Sequence, residues 1–130
     1  MMLFLEEYDM SDSVEIGIID NFDRKYDYSI ADSDLEYEEI IKKYKCVSIS
    51  DDIFNKIIPQ LADMDTYFQN YGNPHKGLDH YGETIIPPES LHEFIDAIKS
   101  AGILTNEVGS LLILAETAYS QGKYMICFGV

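Results

Sequence analysis

The stretch Thr84-Ile85-Ile86-Pro87-Pro88-Glu89-Ser90-Leu91-His92-Glu93-Phe94-Ile95-Asp96-Ala97-Ile98-Lys99-Ser100-Ala101-Gly102 decides the fold class, because its period changes within a few residues. Residues 84–86 are a short apolar run of strand type. Pro87 and Pro88 end it, since proline has no N–H to give to a ladder. Pro88 suits the first position of a helix, and Glu89 places an acid in the first turn. Leu91, Phe94, Ile95 and Ile98 then recur at i, i+3, i+4 and i+7, the apolar face of an amphipathic helix, and Gly102 stops it.

Working downstream, Thr105 is placed to cap a second helix with Glu107 in its first turn. Val108, Leu111, Leu112, Ala115 and Tyr119 form its stripe. Ile113 and Leu114 widen that stripe, so deep burial of this helix is expected. Gly122 closes it. Residues 124–128 are apolar on both faces, which suits a central strand.

Working upstream, residues 74–81 follow the turn Tyr71-Gly72-Asn73-Pro74 and read as loop. Ile53, Phe54, Ile57, Ile58 and Leu61 form a helical stripe that Pro59 kinks or divides, with Asp51 and Asp52 at its N-terminus. Residues 46–50 alternate as a strand. Residues 34–43 read as a short helix carrying Tyr37, Ile40, Ile41 and Tyr44 at helical spacing, with Asp34 as N-cap. Residues 21–33 read mostly as loop, with room for a short strand over 26–30. Val14, Ile16 and Ile18 alternate in a strand, and residues 3–5 read as part of an earlier one after which residues 10–13 turn. The order predicts one acidic globular α+β domain over residues 1–130, with a mixed or antiparallel sheet and helices mainly on one face.

Charge is distributed unevenly. The chain has a formal net charge of −15. Its first forty residues hold thirteen acids against Arg24 and Lys25, a net of −11. Like charges repel and add nothing to a core, but they speed association with cationic partners. A pI near 4.2 argues against direct binding of nucleic acid, which needs Lys and Arg to release counterions. No apolar run is long enough to span a membrane. Residues 1–5 lack the basic flank of a signal peptide. Cys46 and Cys127 lie in strand-like runs and read as free thiols of a reducing cytoplasm.

Few residues point to chemistry. His75, Asp79, His80 and Glu83 cluster in one loop, yet their spacing matches no metal or acid–base motif, and a solvated turn is the expectation. His92 reads as a helix-flank residue. There is no GxSxG elbow, no phosphate loop and no EF-hand pattern. No enzyme activity, cofactor or metal is expected.

The tyrosines say more. Asp20, Asp23, Tyr26, Asp27, Tyr28, Asp32, Asp34, Glu36, Tyr37, Glu38 and Glu39 interleave carboxylates with rings. Tyrosine brings a rigid apolar body with a polar tip, and carboxylates set register against Lys and Arg. These eleven residues are the candidate binding set for a basic partner. The alternative is that two or more of the tyrosines simply pack on the sheet.

Residues 77–91, above all Tyr81-Gly82-Glu83-Thr84-Ile85-Ile86-Pro87-Pro88-Glu89-Ser90-Leu91, together with residues 122–130, resemble small bacterial immunity proteins of contact-dependent growth inhibition and related polymorphic toxin systems. The likeness covers roughly the C-terminal half and rests on a structural run of turn, strand, stop and helix start. It implies an inhibitor of a cognate toxin domain in the cytoplasm, bound 1:1 over its active site. With the charge pattern, it points to a basic nuclease toxin of ribonuclease type. Such proteins each fit one toxin, so no binding residues carry over. Three other readings remain open: a nucleic-acid mimic against a defence enzyme, a small metal-dependent enzyme using the His75–Glu83 loop, and a structural or regulatory subunit.

Overall fold

The computed structural model describes residues 13–29, 36–79 and 82–129. The expected early strand over 3–5 and most of the following turn lie outside these residues. Strands β1 (Ser13–Ile19), β2 (Val47–Ser50), β3 (Asp65–Phe68), β4 (Pro74–Lys76), β5 (Glu83–Ile86) and β6 (Tyr124–Phe128) form one sheet. Their order is β2-β1-β6-β5-β3-β4. Every pairing among the described residues is antiparallel. The α+β reading therefore holds, and the sheet is antiparallel rather than mixed. As its two-sided apolar pattern requires, β6 is central, with Met125 to Phe128 all buried.

Among the described residues the α-helices are α1 (Tyr37–Lys43), α2 (Asp51–Phe54), α3 (Leu91–Ala101) and α4 (Asn106–Gln121). One sheet face, carrying Val14, Ile16, Ile49, Ile86, Met125 and Cys127, packs against α2, α3 and α4. The stripe of α3 is buried as expected, and Gly102 caps it at φ 66°. Leu91, Phe94 and Ile98 are fully inaccessible, each contributing about 1.5–3 kcal/mol relative to exposure. Thr105 caps α4, its side chain accepting the Val108 N–H at 3.3 Å.

Four expectations need correction. The first concerns α4, which is not deeply buried all round. Val108, Leu111, Ala115 and Ala118 face the core, but Ile113 is 66% exposed and Tyr119 49%. Ile113 lies about 200° around the helix from Leu111, on the outer side. Second, α1 is capped at Glu36 and not at Asp34, which lies outside the described residues. The Glu36 N–H donates to Glu39 Oε1 at 2.9 Å, one arm of a capping box.

Third, residues 74–76 are not loop but an edge strand hairpinned to β3, with Asp65 opposite Lys76. Pro74 is tolerated because it opens an edge strand, where a missing donor is harmless. Fourth, residues 26–29 form no strand. Pro59 does divide its helix: α2 stops at Phe54, and a 3-10 turn, Ile58–Leu61, follows.

Candidate functional site: an acidic and aromatic layer on the second sheet face

The opposite sheet face carries Ile19, Ile85, Ile126 and Phe128. Among the described residues no long helix covers it. Residues 20–29 and the two-turn α1 do, through Tyr28, Ile40 and Tyr44, with Phe22, Tyr67 and Tyr124 packed at the margin. Gly17 makes this possible. A Cβ there would sit 2.5 Å from the Tyr44 carbonyl oxygen and 2.8 Å from Cys46 Sγ. With hydrogen in its place, the chain after α1 crosses directly over β1, and the Ile18 N–H donates to the Tyr44 carbonyl at 3.2 Å.

Residues 20–29 hold their shape by local bonds. Asp23 Oδ1 accepts the Lys25 N–H at 2.8 Å, and Asp27 Oδ1 accepts the Ser29 N–H at 2.9 Å. Such Asx turns explain part of the aspartate content without any partner. The Asp23 N–H donates to the Tyr28 hydroxyl at 3.0 Å, and the Tyr28 N–H donates to the Gln69 carbonyl at 2.7 Å. Rings then knit the layer to the sheet. Phe22 stacks on Tyr124 at 3.8 Å between centroids and on Tyr28 at 5.5 Å, while Tyr26 meets Tyr28 edge-on at 4.6 Å. Arg24 lies over Tyr71 at 4.8 Å.

The candidate set divides into two groups. Asp20, Asp23, Tyr26 and Tyr28 gather around one cavity of about 350 Å³, which Ile18, Ile19, Asn21, Lys43 and Tyr44 also line. Glu36, Tyr37, Glu38 and Glu39 occupy the far end of α1, about 10 Å away along its axis. There Tyr37 packs edge-on to Phe128 at 6.3 Å. Asp27 is exposed beside the first group. Asp32 and Asp34 lie outside the described residues. The tyrosines split as well. Tyr28 and Tyr44 are buried at 7% and 8%, as packing on the sheet demands, whereas Tyr26 and Tyr37 keep 42% and 43% of their surface open.

Electrostatics on this face are mixed. Asp20 is held below its usual range by a bond to Lys123 Nζ at 2.9 Å. Lys43 Nζ lies 5.4 Å from the Tyr44 ring centroid and 5.9 Å from that of Tyr26. A second cavity of about 210 Å³ adjoins, where Lys45, Gln121 and Lys123 meet Asp20 and Lys43. Burial, then nearby Glu15, pushes the Tyr37 hydroxyl up to about 12, and burial does the same to Tyr44 and the Cys46 thiol. Six of the thirteen N-terminal acids (Glu6, Glu7, Asp9, Asp12, Asp32 and Asp34) lie outside the described residues. Those that remain are interleaved with Arg24, Lys25, Lys42, Lys43 and Lys45.

Among its described residues the histidine loop brings together no metal or acid–base centre. His75 sits on edge strand β4 with its ring stacked on Phe68 at 4.0 Å. His80 is outside the described residues. The Asp79 N–H donates to Thr84 Oγ1 at 2.8 Å, and Glu83 is buried. Among the described residues no three His, Cys, Asp or Glu side chains converge to hold a metal. His92 lies exposed beside Asp96, 3.4 Å away. Cys46 and Cys127 are free thiols. Among the described residues no helix is long and apolar enough to cross a membrane.

Sequence reasoning missed the cationic half of the site. Lys43, Lys45 and Lys123 reach it from distant elements, and the Asp20–Lys123 bond spans 103 positions. No local pattern signals such a pair. No family model matches the chain, and no curated protein or solved structure is significantly similar to it.

Proposed function

We propose that this chain is an inhibitory binding protein of the immunity class, acting in the cytoplasm by occluding the active site of a basic toxin domain, of nuclease type. The observation that carries the reading is the second sheet face. Among the described residues it is sealed not by a long helix but by a thin layer whose Tyr26 and Tyr37 rings stand half open between exposed carboxylates. Rings that stay open at a layer already anchored by Tyr28 and Tyr44 are suited to a second surface, because tyrosine supplies contact area at low entropic cost. Carboxylates around them match Lys, Arg or His of a groove that otherwise takes phosphates.

Co-expression with the toxin domain encoded immediately upstream tests this. The expected result is cell survival that depends on this chain, with a 1:1 complex on affinity resin and an association rate that falls as salt rises. Toxicity without rescue or binding removes the reading. Rescue with an association rate indifferent to salt removes its electrostatic part. Capture of a restriction-type enzyme in place of a toxin favours the mimic instead.

A further inference from the structure

We propose that the cavity of about 350 Å³ between residues 20–28 and the end of α1 is a receptor for one arginine side chain of the protein partner. The inference rests on the binding reading above and gives it a point of contact. Three observations converge on it.

The walls are aromatic and aliphatic. Tyr26, Tyr28 and Tyr44 line the cavity with Ile19, so a flat cation with an apolar stem finds both of its halves matched. Its volume lies near the lower end of the range of roughly 300–1,000 Å³ for ligand sites, which suits one side chain.

The mouth carries acceptors. Asp20 and Asp23 both line it, and a guanidinium can bond a carboxylate while stacking on a ring. Asp23 Oδ1 is already aimed by the Lys25 N–H at 2.8 Å, so the carboxylate is oriented before any partner arrives.

The site already holds a cation of its own. Lys43 Nζ stands over two of the three rings. Among the described residues no carboxylate lies within ion-pair distance of it. Lys43 is exposed and held by the rings, so it can swing into solvent. An ammonium is strongly hydrated and pairs less well with a ring face than a guanidinium does. An incoming arginine therefore competes with Lys43 for Tyr26 and Tyr44, and gains the Asp23 carboxylate that Lys43 does not reach, Asp20 being already bonded to Lys123.

Titration of the full chain with N-acetyl-arginine amide, followed by backbone amide shifts, is the test. N-acetyl-citrulline amide, of the same size but uncharged, is the control. The arginine compound is expected to move the amides of Ile19, Asn21, Tyr26 and Tyr44, and the citrulline compound to leave them in place. Tyr26→Ala and Asp23→Asn are each expected to weaken binding about five- to ten-fold, while Tyr26→Phe retains it. Lys43→Met is expected to tighten it about five-fold by removing the competitor. Weaker binding in Lys43→Met, equal shifts from citrulline, or shifts scattered over the whole acidic surface overturn the receptor. Partner capture that survives Tyr26→Ala and Asp23→Asn unchanged also overturns it, and leaves the inhibitory reading intact. Arginine-selective shifts in a chain that captures no basic partner do the reverse.

Discussion

Gly17→Ala is the substitution that most directly probes how the second face is built. A methyl group at this position would lie 2.5 Å from the Tyr44 carbonyl oxygen, 2.8 Å from Tyr44 Cβ and 2.8 Å from Cys46 Sγ. Two of these three atoms cannot rotate away, being backbone or Cβ. Relief needs the chain after α1 to lift off β1 by about 0.5–1 Å, since real Cβ contacts below 3 Å do not occur. Overpacking of this kind costs about 1–3 kcal/mol. The lift also stretches the Ile18 N–H bond to Tyr44, now 3.2 Å, which adds about 0.5–1.5 kcal/mol. The total is about 1.5–4.5 kcal/mol. For a chain of this length the melting temperature should fall by about 5–16 °C.

Gly109→Ala is the matched control. It lies in α4, its added Cβ would meet nothing within 4 Å, and a helix-interior alanine is favoured by up to about 1 kcal/mol. Thermal and urea unfolding of both variants should move in opposite directions. If Gly17→Ala unfolds within 2 °C of the parent, the close crossing of β1 is not a constraint, and the account of how the layer is seated fails.

The outer side of α4 gives a second prediction: Leu111→Ala should lose about 2–5 kcal/mol in urea unfolding, whereas Ile113→Lys should change stability by less than about 0.5 kcal/mol. A third concerns acid. Lys123 depresses the folded-state pKa of Asp20, so the bond stabilises the fold above the ordinary aspartate range and is lost as pH falls through the depressed value. In Lys123→Met the decline in the urea midpoint below about pH 4 should be shallower than in the parent, and identical slopes would sink the assignment. A fourth concerns base. Tyr37 and Tyr44 release their protons near 12 when folded and near 10 when unfolded, so stability should drop as pH rises through that interval. Tyrosinate absorbance should show a late-titrating set in the native chain, with Tyr37 and Tyr44 in it and Tyr28, Tyr67 and Tyr124 also raised by burial, and all of them in the ordinary range in urea.

The helical half of the domain was legible because its signals are local. Residues 84–102 contain their own strand, stop, stripe and cap, and Thr105 and Gly122 punctuate α4 without reference to anything distant. The misjudged burial of α4 came from counting apolar residues where angle decides: Ile113 and Leu114 raise composition, but the sheet receives only the row through Val108, Leu111, Ala115 and Ala118. Strand β3 left no clear mark, since Asp65-Thr66-Tyr67-Phe68 has too few alternations and owes its pairing to β4 and β5. At the candidate site, charge and ring content could be read along residues 20–39. Their division into buried anchors and open rings could not, because it depends on where α1 crosses β1.

That crossing links the fold to the charge asymmetry. A sheet buried on both faces needs two covers, and α2, α3 and α4 supply only one. Among the described residues the second is made from α1 and the irregular residues 20–29, which must satisfy their own backbone by side-chain turns, and aspartate is the residue suited to that task. Asp23 and Asp27 are used in this way, and Asp20 is tied to Lys123. So the negative charge of the described face is partly structural, and its neutralising lysines sit among it. A partner drawn only by net charge would find little to grip there. Specific attachment has to come from points where a carboxylate and an open ring coincide, and the described residues bring both together at the Asp23–Tyr26 cavity and at the Tyr37 end of α1. Neutralising Asp27, which does not line the Asp23–Tyr26 cavity, should therefore slow association with a basic partner slightly and leave its dissociation unchanged, whereas Tyr26→Ala should speed dissociation. Equal effects of the two on the dissociation rate would mean that diffuse charge, and not this coincidence, holds the partner.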